Sequence, residues 1–279
     1  MSSLPITSTN TAAIIPEIWS NRFYAVLRAS LPYIDYVSMD YTGDIQSLGN
    51  TVNIPTIADF DEATELAEGA SGDTDTLTPS KQQLVINKRI YKDFAVTDES
   101  QLWSLPYMDQ VREKAVFAIN KRMQQIIIDA IAPSTTAPDH TLAYDSGTTL
   151  GLADILEAKE LLDTQNVPAD SRVGICGAAQ INDIFLITGF NSRDYIPSGS
   201  PLTSGQIVTP LCGFMPKSTT VVGNTSYWLH PSFMTLAIQK SLSVKVFDLG
   251  VEGIRSFRVN TDLLMGLKQL SNIRVVTIA

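Results

Sequence analysis

Thr51-Val52-Asn53-Ile54-Pro55, the acidic run from Asp59 to Asp75, and the stretch from Gln82 through Leu84-Val85-Ile86-Asn87-Lys88 to Val96 decide how this chain reads. The first is a short strand pattern, and it is expected to end at Pro55, which has no N–H for a ladder. The last alternates in part: its even positions are Leu84, Ile86, Lys88, Ile90, Lys92, Phe94 and Val96. Between them stand seven acids and no base: Asp59, Asp61, Glu62, Glu65, Glu68, Asp73 and Asp75. Gly69, Ser71 and Gly72 punctuate that run, and Lys81, Lys88, Arg89 and Lys92 mark the return. Residues 48–96 thus read as a long two-stranded arm with an acidic limb and tip, a more basic return strand and little core of its own. An isolated ribbon is marginal in water. The arm needs a surface, either its own domain or a neighbouring copy, unless it is only a solvated charged loop.

Downstream, Thr97-Asp98-Glu99 offers capping chemistry, and Pro106 opens the longest helical pattern in the chain. Met108, Val111, Ala115, Ile119, Met123, Ile126 or Ile127, and Ala130 mark one face as far as Ile131. Pro133 and Pro138 end it, and 133–150 reads as a loop. Leu152, Ile155, Leu156, Ala158, Lys159 and Leu162 predict a second helix. Val173-Gly174-Ile175-Cys176 predicts a buried strand, and 180–187 a third helix. Helix, strand and helix in close order suggest a small α+β subdomain. Upstream, 1–12 reads as a flexible arm. Pro16 opens a helix bearing Ile18, Trp19, Phe23, Val26 and Leu27 that stops before Pro32.

From 195 to 239, Lys217 is the sole Asp, Glu, Lys or Arg. Proline, glycine and serine are too frequent there for a membrane helix. A loop over 196–205 and short strands at 219–222 and 227–229 are expected. Avoidance of charge suits a crowded symmetry axis, a buried interface or plain core. Strand patterns recur at 244–247, 254–259 and 273–278.

Composition narrows the function. The 279 residues carry 44% hydrophobic and 18% charged side chains, the latter below the ~25% of an average globular protein. Such a chain has a large core or hides surface against partners. A net charge of −9 argues against broad binding to nucleic-acid phosphate. Two cysteines, Cys176 and Cys212, exclude a disulfide framework; they read as two buried free thiols, with a single bridge as the alternative. There is no basic, apolar leader and no apolar run long enough to span a bilayer, so synthesis in the cytoplasm without export or membrane insertion is expected. Phosphate-loop, dinucleotide, nucleophile-elbow and zinc-helix motifs are all missing. His140 and His230 lie far apart in sequence. No zinc ligand set or calcium loop can be assembled, and Asp73 and Asp75 read as a solvated turn. Catalytic, cofactor and metal residues are therefore expected to be none, which favours a structural role.

The order of these elements resembles the major capsid proteins of tailed bacteriophages, the HK-97-like α+β fold. Gly49-Asn50-Thr51-Val52-Asn53-Ile54-Pro55 resembles the entry to that family's E-loop, and Leu84-Val85-Ile86-Asn87-Lys88 through Asp98-Glu99 its return. Leu263 to Ile278 resembles the closing strands. The resemblance implies five regions: an N-terminal arm and helix (1–47), an extended β-hairpin E-loop (48–96), a peripheral domain with its spine helix (97–150), an axial domain (151–240) and closing strands (241–279). It implies subunit contacts through the eleven charged arm residues named above, from Asp59 to Lys92. It also implies a capsomer-axis loop around Ile196, Gly199, Pro201 and Gly205. Implied partners are further copies in pentamers and hexamers, a separate scaffolding protein, a portal, decoration proteins, and packaged double-stranded DNA bound without sequence specificity. The implied location is the virion. The short N-terminal arm departs from members that carry a long cleaved scaffolding domain. Lys81 or Lys88 has no identifiable asparagine partner, so no cross-link is expected. Two alternatives stand: an encapsulin-like cellular nanocompartment shell, and more distantly a soluble enzyme using His230 with a carboxylate.

Overall fold

The computed structural model describes residues 36–45, 49–57, 63, 65–69, 71–72, 78–97, 105–145, 147–188, 207, 210–248 and 256–279; at 96–97, 105–113, 244–248 and 256–260 it describes the backbone alone. The expected N-terminal helix, the capping run at 98–99 and the loop at 196–205 lie outside these residues. The described helices are α1 (Thr42–Ile45), α2 (Leu105–Asp129), α3 (Leu152–Thr164) and α4 (Ala178–Leu186). The strands are β1 (Thr51–Ile57), β2 (Pro79–Thr97), β3 (Thr141–Leu142), β4 (Val173–Gly177), β5 (Met215–Thr219), β6 (Ser226–Leu229), β7 (Met234–Asp248), β8 (Ser256–Gln269) and β9 (Val275–Ile278). They form a four-stranded sheet, β1-β2-β8-β7, and a five-stranded sheet, β3-β9-β6-β4-β5.

The arm is rooted on its own chain, one of the two surfaces that the sequence leaves open. β1 pairs antiparallel with the first part of β2, Thr51 opposite Val85 through Ile57 opposite Pro79. The rest of β2 pairs with β8 of the same chain, from Ile86 opposite Gly266 to Thr97 opposite Ser256. The strand also runs through Pro55 rather than ending there. Asn50 O accepts from Ile86 N at 2.8 Å, and antiparallel pairs alternate between bonded and unbonded positions. Pro55, opposite Lys81, therefore falls where an N–H would point to the open edge, the place a sheet tolerates proline.

Nor does the arm lack a core. Leu84 and Ile86 join Ile45, Ile54 and Ala237 in a small buried cluster. Ile86 lies opposite Gly266 but Lys88 opposite Met265, so Asn87 is an extra, bulged residue. One extra residue turns all later side chains to the other face. Beyond it Ile90 and Phe94 enter a second, larger core with Val116, Ile119, Met123, Leu263 and Met265. A unit of alternation that looks continuous in sequence thus serves two cores on opposite faces.

α2, with 25 residues, spans about 37 Å at 1.5 Å per residue. Among its described side chains Val116, Ile119, Met123 and Ile127 are buried. They share a core with Ile90, Leu263 and Met265 of the four-stranded sheet and with Val173, Ile175, Leu229 and Val275 of the five-stranded sheet. One helix therefore backs both sheets. The far face of the five-stranded sheet presents Cys176, Trp228, Val276 and Ile278 to Ile155, Ala158 and Leu162 of α3 and Ile184 of α4. Phe214 meets Trp228 edge-on at 5.0 Å between ring centroids. Gly174 lies opposite Trp228, and a Cβ there would stand 2.7 Å from the indole. The α3 stripe is narrower than its apolar residues suggest, since Leu152 and Leu156 stay exposed.

Elsewhere the strands depart from expectation. The strand expected at 219–222 is instead Met215–Thr219, parallel to β4 from Val173 opposite Met215. The strand expected at 244–247 begins at Met234, and that expected at 254–259 runs to Gln269. The chain passes between the sheets at 230–233. β3, within the expected loop, pairs parallel with β9.

Three connections link the sheets: α2 to β3, β6 to β7, and β8 to β9. Gln269 binds the first to the third. Its Oε1 accepts from Ala132 N at 2.9 Å, and its Nε2 donates to Ala132 O at 2.6 Å and Ser271 O at 3.2 Å. His140 is buried beside them, with Nδ1 3.1 Å from Val275 O.

Candidate assembly surfaces

The arm residues fall into two groups. Glu65 and Glu68 are exposed beyond β1, flanking Leu66, whose side chain is 58% exposed. Lys81 is exposed on the β1–β2 ladder. Lys92 is exposed opposite Thr261, and Lys88 is half-buried opposite Met265. Asp59, Asp61, Glu62, Asp73 and Asp75 lie outside the described residues, as do Ile196, Gly199, Pro201 and Gly205.

Among the described arm charges, Arg89 has a partner in its own chain. Its Nη2 donates to Asp262 Oδ2 at 2.7 Å, while Lys240 Nζ and Ser243 Oγ each donate to Asp262 Oδ1 at 2.5 Å. The carboxylate is nearly buried, with 4% of its side chain exposed, whereas Arg89 and Lys240 keep 63% and 38%. Burial alone would raise this carboxyl, but the donors from Lys240, Ser243 and Arg89 outweigh it and hold the group down to about 2. Asp262 thereby fastens the arm strand β2 and the edge strand β7 to the central strand β8. Sequence reasoning missed this node because its parts lie far apart in the chain. Its one local sign was a lone acid before Leu263-Leu264-Met265.

A second exposed surface is the outer face of α2, which carries Lys114, Phe117, Ala118, Lys121 and Arg122. Phe117 is 63% exposed. Leu186 at the end of α4 is also exposed.

Several further polar groups are held within the fold. Gly177 N and Tyr144 OH are linked through Gln180: its Oε1 accepts from Gly177 N at 2.5 Å and its Nε2 donates to Tyr144 OH at 3.0 Å. Burial pushes the Cys176 thiol up to about 12 and raises half-buried Cys212. Both cysteines are free. His230, the base of the enzyme alternative, caps the turn Pro231–Phe233 through its Nδ1. Among the described residues no group of three His, Cys, Asp or Glu is placed to hold a metal ion, and no helix is long and apolar enough to cross a membrane.

A subunit with one long helix backing two sheets, and a β-hairpin projecting from one of them, defines the class: this is the HK-97-like capsid fold. A phage capsid protein family model matches residues 46–246. The major capsid protein of Staphylococcus phage phiMR11 is 27% identical over 194 residues, covering 66% of this chain and 69% of that protein. The structure from Mycobacterium phage Che8 superposes with a TM-score of 0.69 at 20% identity, covering 88% of this chain and 90% of its own. The capsid structure of cyanophage P-SCSP1u gives 0.68 at 10% identity, covering 88% and 86%. The chain belongs to the phage capsid protein family. It is a structural protein of the virion, and the nanocompartment reading gives way to the phage head.

Proposed function

We propose that copies of this chain, as the major capsid protein of a tailed double-stranded DNA phage, tile an icosahedral shell as pentamers and hexamers around the genome. The observation that carries this reading is the match of 46–246 to the phage capsid family on a fold whose arm projects beyond its own sheet. Heterologous contacts close rings around five- and six-fold axes. The arm clamps a neighbouring copy through its charged residues, Glu65, Glu68 and Lys81 among them. Weak contacts repeated over many copies give avidity without a strong single pair. The uncharged region around 196–205 lines the capsomer centre. Scaffolding, portal and decoration proteins act on the shell, and the acidic chain contains DNA without sequence-specific binding.

The test is a chain in which a two-residue turn replaces 58–78 and joins β1 to β2 directly. The expected product is a folded subunit that sediments as a small species under conditions where the parent forms shells. Shells at the parental yield would refute the clamp.

A further inference from the structure

The connection from β6 to β7 contains a titratable side chain that the assembly reading does not use. His230 Nδ1 accepts from Ser232 N at 3.2 Å and lies 2.7 Å from Ser232 Oγ. Ser232 Oγ in turn accepts from Arg274 Nη1 at 2.9 Å, so its own hydrogen is free for the imidazole. A nitrogen that accepts from a backbone N–H carries no proton, so the neutral ring with Nδ1 bare is the form that closes the turn. The turn is central to the joint between the sheets. Phe233 is buried in the main core, Phe233 N donates to His230 O at 2.9 Å, and Phe233 O accepts from Leu270 N and Ser271 N at 2.8 and 3.1 Å. His230 N donates to Arg274 O at 3.1 Å. Two of the three connections between the sheets therefore meet at this residue.

We propose that His230 is an acid-released latch on this joint: a proton from solvent added at Nδ1 opens the Pro231–Phe233 turn and loosens β6–β7 from β8–β9. The added hydrogen occupies the lone pair that held Ser232 N–H, so that bond is lost. It also places a second positive charge across Ser232 Oγ from the Arg274 guanidinium. The groups facing the ring are Arg274 from the β8–β9 connection and Arg172 and Asp170 from the loop before β4. Arg172 is itself fixed, by Val167 O at 2.6 Å, Pro168 O at 2.9 Å and Asp163 at 2.7 Å, so it cannot swing away from a charged imidazole. Burial, then Arg274 and Arg172, lower the affinity of the folded ring for a proton, against the opposing pull of Asp170. The unfolded or opened chain therefore binds the proton more tightly. The latch holds above the ordinary histidine value near 6.5 and weakens as pH falls below it.

Hydrogen–deuterium exchange of the full chain, corrected for intrinsic exchange, tests this at about pH 7.5 and about pH 5. Protection at Phe233, Leu270 and Ser271 is expected to fall about fivefold or more on acidification, the equivalent of one net hydrogen bond, while the β1–β2 ladder changes little. His230→Asn retains a capping oxygen but cannot titrate in this range, and its protection there is expected to stay level. Equal protection in the parent protein at both pH values would overturn the proposal. So would the same acid opening in His230→Asn.

Discussion

Replacing Asp262 by Asn tests whether the arm is fastened to the body by one carboxylate. A carboxyl held at about 2 rather than its ordinary 3.8 has its charged form stabilised by roughly 2 kcal/mol. Removing one member of a buried ion pair can cost ~3–5 kcal/mol. That range is an upper bound here, because Arg89 and Lys240 keep 63% and 38% of their side chains exposed and regain water once released. Asn also retains an acceptor for Ser243, so about 2 kcal/mol is the expected loss. With a urea slope of about 3 kcal/mol/M for a chain of this size, the midpoint at neutral pH should fall by roughly 0.7 M. Unassembled subunits followed by near-ultraviolet circular dichroism provide the assay. The folded carboxyl is depressed, so its contribution is complete above its unfolded value of 3.8 and fades as pH falls through about 2. By pH 3 about half should remain. An unchanged midpoint at neutral pH, or a gap between the two proteins that persists undiminished below pH 2, would refute the reasoning.

Other expected outcomes follow from single contacts. Gly174→Ala places a Cβ 2.7 Å from the fully buried Trp228 ring and should cost about 1–3 kcal/mol by overpacking, read as a lower thermal midpoint with altered tryptophan fluorescence. Gln269→Ala removes the link between Ala132 and Ser271 and should cost about 0.5–1.5 kcal/mol, the net worth of a hydrogen bond whose exposed partners regain water; exchange at Ala132 should rise. Cys176, with its thiol near 12, should resist alkylation in native protein at pH 8 while half-buried Cys212 reacts, and both should react in denaturant. Glu65→Lys with Glu68→Lys changes exposed residues only. It should leave the folding midpoint within about 0.5 kcal/mol while lowering shell yield in sedimentation.

The arm, the long helix and the α+β unit were legible because each has its own period or punctuation. What pairing decides was not. Pro55 was expected to end its strand, yet it lies within the edge strand β1, and nothing local marks an edge. Asn87 carries no sign of a bulge; it is set by the match of β2 to β8, and it sends Leu84 and Ile90 to different cores. Met234-Thr235-Leu236-Ala237-Ile238 looked like more of the uncharged region, although it begins the strand that closes the four-stranded sheet. Asp262 belongs to a site made by three strands, so no single stretch of sequence contains it. The charges of the arm were legible as a pattern in the sequence, but the partner of Arg89, Asp262 of the same chain, was not.

The central claim is that this chain builds a closed shell. Negative-stain electron microscopy with sedimentation, on the protein expressed alone and with its neighbouring genes, tests it most directly. The account predicts polyhedral shells or ring-shaped capsomers. A stable monomer under every condition would contradict it.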